Sequence, residues 1–160
     1  HMRRDELDKA CEYYARAIEV KPYDSDSRSA MGAALARTGQ WQASVEQHRW
    51  RLRIEPASLG AAVALAWMLS TVPDDTVRDG EQAVQLAQYA CRQTNFRNGG
   101  YMDVLAAAYA EVGQFDQATA MAQRVLVSAT NNRMTAVAER VERRLNSYRR
   151  SQPWREALEQ

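Results

Sequence analysis

Cysteine, histidine, glycine and proline are all scarce in this chain of 160 residues, and each scarcity excludes something. Two cysteines, Cys11 and Cys91, cannot form a zinc ligand set, and we expect both to be reduced core residues. Seven glycines and four prolines leave few points at which a helix would be interrupted. Apart from His1, the single histidine is His48, and no glycine-rich phosphate loop or paired-carboxylate motif accompanies it. The sequence therefore predicts no catalytic residue, no metal site and no cofactor, and His48 is interpreted as a core or groove residue.

Long apolar runs and a strong net charge are also missing. No run of eighteen apolar residues occurs, so we expect no membrane span and a cytoplasmic location. No secretory signal opens the sequence, and His1-Met2 are interpreted as an expression remnant. The net charge is only +1, although residues 133–155 hold seven arginines against two glutamates. We interpret that basic stretch as a solvated helix face, with contact to RNA or to an acidic partner as the alternative.

One motif of ten residues occurs twice, at 35–44 and at 109–118. Each copy has a bulky residue, a Gly-Gln pair four residues later, an aromatic residue and then a small residue. Gly39 and Gly113 are expected to end a helix with left-handed backbone angles, which glycine adopts at little cost. The motif therefore predicts the turn of a repeated helical hairpin.

Helical periodicity and a spacing of 34 residues extend this repeat along the chain. Pro22 and Pro56 are 34 residues apart, as are the small residues Ala10 and Ser44. Apolar residues at helical spacing predict eight helices. Six have predicted ranges, which are 5–21, 41–54, 58–71, 101–112, 115–128 and 133–150. Of the other two, one ends near Gly39 and one starts at Asp79.

The hairpin that joins helix 58–71 to the helix starting at Asp79 alone carries an insertion of five residues, within the span from Pro73 to Arg78. Asp79 and Gln82 resemble a helix-capping box. The acidic residues nearby do not have the spacing of a calcium loop, so a solvated loop is predicted. These acidic residues are Asp74, Asp75, Asp79 and Glu81.

These features together resemble the tetratricopeptide repeat family, over about residues 5–130. The resemblance is carried by small and bulky residues at matching positions of each unit: Ala10, Tyr14, Ala17, Pro22; Met31, Gly32, Leu35, Gly39, Trp41, Pro56; Leu65, Ala66, Leu69, Ala83, Ala87, Ala90; Leu105, Ala106, Tyr109, Gly113, Phe115, Ala118, Ala122. Residues 65–81 and 105–111 are similar to a bacterial variety that is appended to larger multidomain proteins. The closing stretch with Tyr148 and Pro153–Glu156 also resembles that variety.

The resemblance implies an all-α, right-handed superhelix in one domain over residues 3–150. Its units would be 3–24 (partial), 25–58, 59–98 and 99–132, followed by a capping helix at 133–150 and a tail at 151–160 that is a short helix or frayed. The third and fourth units depart from the pattern because they lack the closing proline. Arg51 stands where a small residue usually packs, so we expect that hairpin to be splayed or the side chain to extend towards solvent.

The partial first unit predicts an exposed apolar surface. Each unit buries its apolar face only against its neighbours, and the 5–21 helix has no preceding partner. We therefore expect part of the face bearing Leu7, Tyr14 and Ile18 to be bare. Such a face predicts a longer array or a homodimer through this helix.

The resemblance also implies a concave groove lined by the first helix of each hairpin. The carboxylate clamp of some family members is not expected, because its Asn, Lys and Arg are missing. Trp67 is interpreted as either a partner anchor or a core residue. The predicted liners are Ser29, Ala33, Ala36, Val63, Trp67, Ser70, Asp103, Ala107 and Ala110.

The function that follows is a non-catalytic scaffold, which binds a peptide or helix of a protein partner as part of a longer polypeptide. The alternative is a regulatory or substrate-positioning module fused to an enzyme. RNA binding is a third interpretation, and nucleic acid is not the expected partner.

Overall fold

A computed structural model describes residues 4–157 of the chain. Over these residues the protein contains eight α-helices and no strand, as the periodicity predicts. The predicted expression remnant, His1-Met2, lies outside the described residues. The helices are α1 (Arg4–Val20), α2 (Ser25–Arg37), α3 (Trp41–Ile54), α4 (Leu59–Thr71), α5 (Gly80–Gln93), α6 (Gly99–Glu111), α7 (Phe115–Asn131) and α8 (Thr135–Arg149).

The described residues divide into two compact units, and the division falls within α4. The first unit comprises residues 4–65 together with Ala157, and in it α1 packs on α2 and α2 on α3. The second unit comprises residues 66–156. In this unit α5 packs on α6, α6 on α7 and α7 on α8, and α6 also touches α8. The repeat boundaries predicted from the sequence stay a prediction.

Alanine dominates the interior of the second unit. At least two alanines of each of α5, α6 and α7 have no exposed surface. Small side chains at these crossings allow the helix axes to approach closely, and bulkier residues such as Leu105 and Leu145 fill the space that remains. The fully buried alanines of these three helices are Ala83, Ala87, Ala90, Ala106, Ala108, Ala118 and Ala122.

The predicted hairpin turns are confirmed. Gly39 and Gly113 have φ of 79° and 77°, in the left-handed region. The N–H of the following glutamine donates to a carbonyl five residues back, from Gln40 to Leu35 (2.9 Å) and from Gln114 to Tyr109 (2.8 Å). This pairing satisfies carbonyls that a helix end leaves without partners. Arg133 makes the same turn with φ of 57°, although it has a side chain.

Two predicted helix boundaries are wrong, because local capping extends the helices concerned. The helix predicted over 101–112 begins earlier, at Gly99, because the Asn98 side chain caps it by accepting from Tyr101 N. The helix predicted over 115–128 continues to Asn131, and the helix predicted from residue 133 begins only at Thr135, after a turn at Arg133 that leaves Met134 half exposed.

The apolar surface of α1 also differs from the prediction. Leu7 is buried, and Tyr14 and Ile18 are half-buried, because this stripe of α1 packs on α2. The exposed apolar residues lie elsewhere on and just after the helix: Tyr13, Val20 and Tyr23 are 69%, 79% and 75% exposed. The homodimer predicted through Leu7, Tyr14 and Ile18 stays a prediction, and Leu7 is too buried to contribute to it.

Candidate functional site

The predicted groove residues of the first unit leave a partly open helix surface. On α2, Ala33 is exposed, and Ser29 and Ala36 are half-buried; on α4, Val63 is also half-buried. The Arg51 side chain reaches from α3 to α2, where its Nη1 donates to Ser29 Oγ (3.3 Å). The arginine that departs from the repeat pattern therefore extends across the hairpin from α3 to α2.

The predicted groove residues of the second unit are more deeply placed. Ser70, Ala107 and Ala110 are buried, each with about 1% of its surface exposed, whereas Trp67 and Asp103 are half-buried. Of these five residues, only Trp67 and Asp103 are not fully buried. The structure brings these two residues together through a third, Arg144, which the sequence prediction did not include.

Arg144 lies over the ring of Trp67 and forms an ion pair with Asp103. Its Cζ is 4.4 Å from the centroid of the indole, a geometry that favours a cation–π interaction. The two charged side chains are only 13% and 14% exposed. Burial raises the pKa of the Asp103 carboxyl, and the positive charges of Arg144 and Arg140 partly oppose that rise. Arg144 is thus the cation that allows this carboxylate to be charged while largely withdrawn from water.

A segment that follows α8 returns onto this unit. Ser151 turns the chain with φ of 55°, and residues 152–157 then run without regular structure, so the predicted short helix does not form over them. The ring of Trp154 lies 5.8 Å from Arg144 Cζ. We refer to Pro153–Glu156 as the return segment. It is a stretch of non-helical polypeptide that reaches the residues predicted to line the groove.

The return segment completes the hydrogen bonding at the end of α4. A helix leaves its last four carbonyls without donors, and in α4 these belong to residues 68–71. Val72 N–H and Asp79 N–H serve the first two, Met68 O (3.3 Å) and Leu69 O (3.0 Å). The other two are served by the return segment: Arg155 Nη1 donates to Ser70 O (3.2 Å) and Glu156 N–H to Thr71 O (2.8 Å).

Glu111, the last residue of α6, holds two arginines. Its Oε1 accepts from Arg78 Nε (2.8 Å), and its Oε2 lies 2.6 Å from Arg155 Nη1 in an ion pair. Arg78 is anchored further, because its Nη1 donates to the carbonyls of Val72 (2.9 Å) and Pro73 (2.8 Å). The five-residue insertion therefore carries a fixed arginine to Glu111, and the return segment carries a second.

Sequence reasoning missed the charged members of this site: Arg78, Glu111, Arg144 and Arg155. None of them falls at a groove position of the repeat pattern, and their partners lie far apart in sequence. One signal was available in the sequence, because each of the two irregular segments contains an arginine: Arg78 in the insertion and Arg155 after Pro153.

Among the residues that the structure describes, no side chain outside this cluster indicates catalysis. His48 is buried, as predicted, and burial together with the Arg51 charge lowers its pKa to about 4, which keeps it neutral. Burial raises the pKa of Cys91 to about 11, so this thiol is not a nucleophile at neutral pH. Within residues 4–157, no group of three or more His, Cys, Asp or Glu residues is arranged to hold a metal ion.

The acidic insertion forms an ordinary capped turn. The Asp74 carboxylate accepts from Thr76 N (3.0 Å) and Thr76 Oγ1 (2.7 Å), and these bonds lower the pKa of Asp74. Asp79 Oδ1 accepts from Gln82 N (3.0 Å) at the start of α5, which confirms half of the predicted capping box. The reciprocal half is absent, because Asp79 N–H donates to Leu69 instead.

The described helices include none that is long and apolar enough to cross a bilayer.

Comparison with known proteins identifies the fold. No family model matches the chain, and no curated protein matches it. Solved structures do match. TTC0263, a thermophilic TPR protein of Thermus thermophilus, has a TM-score of 0.63 at 20% identity, covering 86% of this chain and 73% of that one.

Two further structures agree with that match. The crystal structure of MamA has a TM-score of 0.62 at 13% identity, covering 92% of this chain and 89% of MamA. The MamA RS-1 ArsTM double mutant has a TM-score of 0.62 at 15% identity, covering 92% of this chain and 88% of that one. The resemblance seen in the sequence is thereby confirmed at the level of the fold. The chain has the all-α tetratricopeptide-repeat fold.

Proposed function

We propose that this protein is a non-catalytic scaffold that binds a peptide or helix of a protein partner. The proposed site in the second unit is centred on Trp67 and Asp103, whereas Ser70, Ala107 and Ala110, the other predicted liners, are buried. In the first unit, Ser29, Ala33, Ala36 and Val63 remain candidate contacts. The repeat fold supports this proposal, because stacked helical hairpins present extended surfaces that commonly bind other polypeptides. The neutral, buried His48 and the buried, protonated thiol of Cys91 favour binding over catalysis.

One observation carries the proposal. The end of α4 already holds a non-helical polypeptide, the return segment, through a main-chain bond from Glu156 and a side-chain bond from Arg155. A surface that offers main-chain carbonyls, a carboxylate and an aromatic ring has the elements of a peptide site. The proposed partner is therefore a protein segment.

The other interpretations have less support. A regulatory or substrate-positioning module of an enzyme would use the same surface, and its distinguishing feature would be a catalytic domain in the same polypeptide. RNA binding would draw on the seven arginines of residues 133–155, of which three are already engaged: Arg144 and Arg155 are paired with carboxylates, and Arg149 Nη2 donates to Gln123 Oε1 (2.9 Å). The cytoplasmic location remains a prediction.

A phage-displayed library of random peptides, selected on the immobilised protein, tests the proposal even though the partner is unidentified. Enriched peptides would be synthesised and their affinities measured by isothermal titration calorimetry. We expect Trp67→Ala to weaken binding at least about tenfold, as loss of an interface tryptophan commonly does. Trp50→Ala is the matched control, because Trp50 lies under Arg28 in the first unit with the same ring-to-guanidinium distance, 4.4 Å.

Thermal unfolding of both variants separates loss of binding from loss of structure. If Trp67→Ala does not fold, Trp67→Leu keeps the apolar volume and replaces it. Failure to enrich any peptide, or equal affinities for the wild type and both folded tryptophan variants, would contradict the proposed site.

A further inference from the structure

We propose that the end of α4 and Glu111 form an arginine-recognising peptide site, which the return segment occupies in the free protein. The partner is a protein segment in which an aromatic residue precedes an arginine, and it binds by displacing the return segment. This inference rests on the proposed function and specifies the chemistry of its ligand.

The two arginines on Glu111 are held unequally, which makes one of them replaceable. Each guanidinium also donates to two carbonyls, Arg78 to Val72 O and Pro73 O and Arg155 to Ser70 O and Trp154 O. The difference lies in exposure and support, because Arg78 is 15% exposed, whereas Arg155 is 34% exposed and belongs to a segment without regular structure. Glu111 is 12% exposed, and when the return segment leaves, its Oε1 keeps Arg78 whereas its Oε2 loses the cation beside it. An arginine of a partner is the group that fits this place.

The main-chain part of the site carries no preference for this particular segment. Ser70 O and Thr71 O are the last carbonyls of α4, and any polypeptide with an arginine and a following N–H can reproduce both bonds. A helix C-terminus also carries partial negative charge, which favours a cation there. The site therefore recognises an arginine together with the backbone that follows it.

An aromatic residue before the arginine completes the preference. Trp154 lies beside Arg144, whose guanidinium also covers Trp67. Tryptophan is the aromatic side chain that attracts a guanidinium most strongly, and other aromatic rings can take its place. Because the return segment is tethered to α8 by a short turn, it competes with a partner at an effective concentration on the order of millimolar.

The test measures binding of the return segment's own sequence added as a separate peptide. The peptide is Gln-Pro-Trp-Arg-Glu-Ala, the sequence of residues 152–157, titrated to millimolar concentration and followed by NMR of ¹⁵N-labelled protein. The protein variant is Arg155→Ala, which weakens the tethered segment and leaves Glu111 intact. The matched control is Arg150→Ala, because Arg150 is exposed and makes only main-chain hydrogen bonds among residues 4–157.

We expect the Arg155→Ala protein to bind the peptide about tenfold more tightly than the wild type, since apparent affinity scales with the fraction of protein whose site is open. The Arg150→Ala control should match the wild type. Replacing the arginine of the peptide by alanine should lower its affinity for the Arg155→Ala protein by at least about tenfold, the usual effect of losing hydrogen bonds to a charged group. These peptide variants test the arginine without altering the protein.

Two results would overturn the inference. One is the absence of binding to the Arg155→Ala protein at millimolar peptide, which would make the return segment a structural cap only. The other is equal affinity of the arginine and alanine peptides. Either result leaves the proposed function standing if library peptides bind at Trp67 whether or not Arg155 is present, so the two failures are distinguishable.

Discussion

Each unit places an arginine over a tryptophan at the same distance, yet the two arrangements are built differently. In the first unit Arg28 covers Trp50 and in the second Arg144 covers Trp67, each with 4.4 Å from Cζ to the ring centroid. Arg28 donates to Pro22 O (2.9 and 3.1 Å) and Gln47 Oε1 (3.1 Å), which are uncharged. Arg144 instead pairs with the Asp103 carboxylate.

The two arginines differ in role, because Arg28 stabilises the fold whereas Arg144 belongs to the proposed binding site. Arg28 joins the loop after α1 to α3 through uncharged acceptors, so its removal would leave no carboxylate without a cation. In the second unit, Arg144 and Arg155 each neutralise a poorly exposed carboxylate, Asp103 and Glu111. A poorly exposed charge is costly to leave without its partner, because removing one member of such a pair leaves the other charge uncompensated.

The largest expected effect comes from removing the two arginines. Arg144→Ala should lower the free energy of unfolding by about 3 kcal/mol, because it leaves the Asp103 carboxylate buried without its cation. Arg28→Ala should cost about 1 kcal/mol, since only neutral acceptors lose a donor. Urea denaturation measures both. The double variant Asp103→Ala/Arg144→Ala should be more stable than Arg144→Ala alone. Equal losses for the two single variants would remove the contrast.

Acid should destabilise the protein through His48 of the first unit. The folded pKa of about 4 lies below the ordinary value of 6.5, so the unfolded chain binds a proton that the folded chain excludes. Stability that is present above pH 6.5 is therefore lost as the pH falls towards about 4. We expect a loss of roughly 2 kcal/mol between pH 7 and pH 5. The variant His48→Gln should lack this part of the pH dependence; identical slopes in both proteins would show that His48 does not titrate in this way.

Two glycines near helix starts should respond oppositely to alanine. A Cβ on Gly80 would lie 2.7 Å from Val112 Cγ1 and 2.9 Å from Glu111 Cγ. Gly80→Ala should therefore cost about 1–2 kcal/mol and disturb the Glu111 pair. Gly60→Ala should stabilise by roughly 0.5–1 kcal/mol, because no described atom lies within 4 Å of its Cβ and alanine favours the helix. Thermal unfolding should move in opposite directions, and a stabilised Gly80→Ala would contradict the close approach of α5 to α6.

The smallest effect concerns the hairpin turns. Arg133 holds the left-handed position that Gly39 and Gly113 hold in the other turns. Arg133→Gly should stabilise by about 0.5–1 kcal/mol, and Gly39→Ala should destabilise by about 1 kcal/mol. Calorimetric melting measures both. A neutral Gly39→Ala would mean that this turn does not require glycine.

The sequence predicted the repeat because its determinants are local. The Gly-Gln turns, the capping Asp79 and the alanines at helix crossings each act within one hairpin, so their spacing reveals them. Arg133 shows the limit of that approach, because its sequence does not indicate that it adopts left-handed backbone angles. The boundary between α7 and α8 was therefore misplaced.

The site was less predictable because it depends on contacts between distant residues. Trp67 and Asp103 could be chosen from repeat positions, but Arg144 lies 41 residues from Asp103 in the sequence. Arg155 lies 85 residues from Ser70 and belongs to a segment without periodicity. Burial of Ser70 likewise depends on what packs over it, which the helix period does not encode.

Amide exchange at Glu156 tests whether Arg155 holds the return segment on the second unit. Its N–H donates to Thr71 O (2.8 Å), so exchange measured by NMR should be at least about tenfold slower than in an unstructured peptide of the same sequence. In Arg155→Ala that protection should be lost, whereas Arg150→Ala should retain it. Exchange at the unstructured rate in the wild type would contradict the claim.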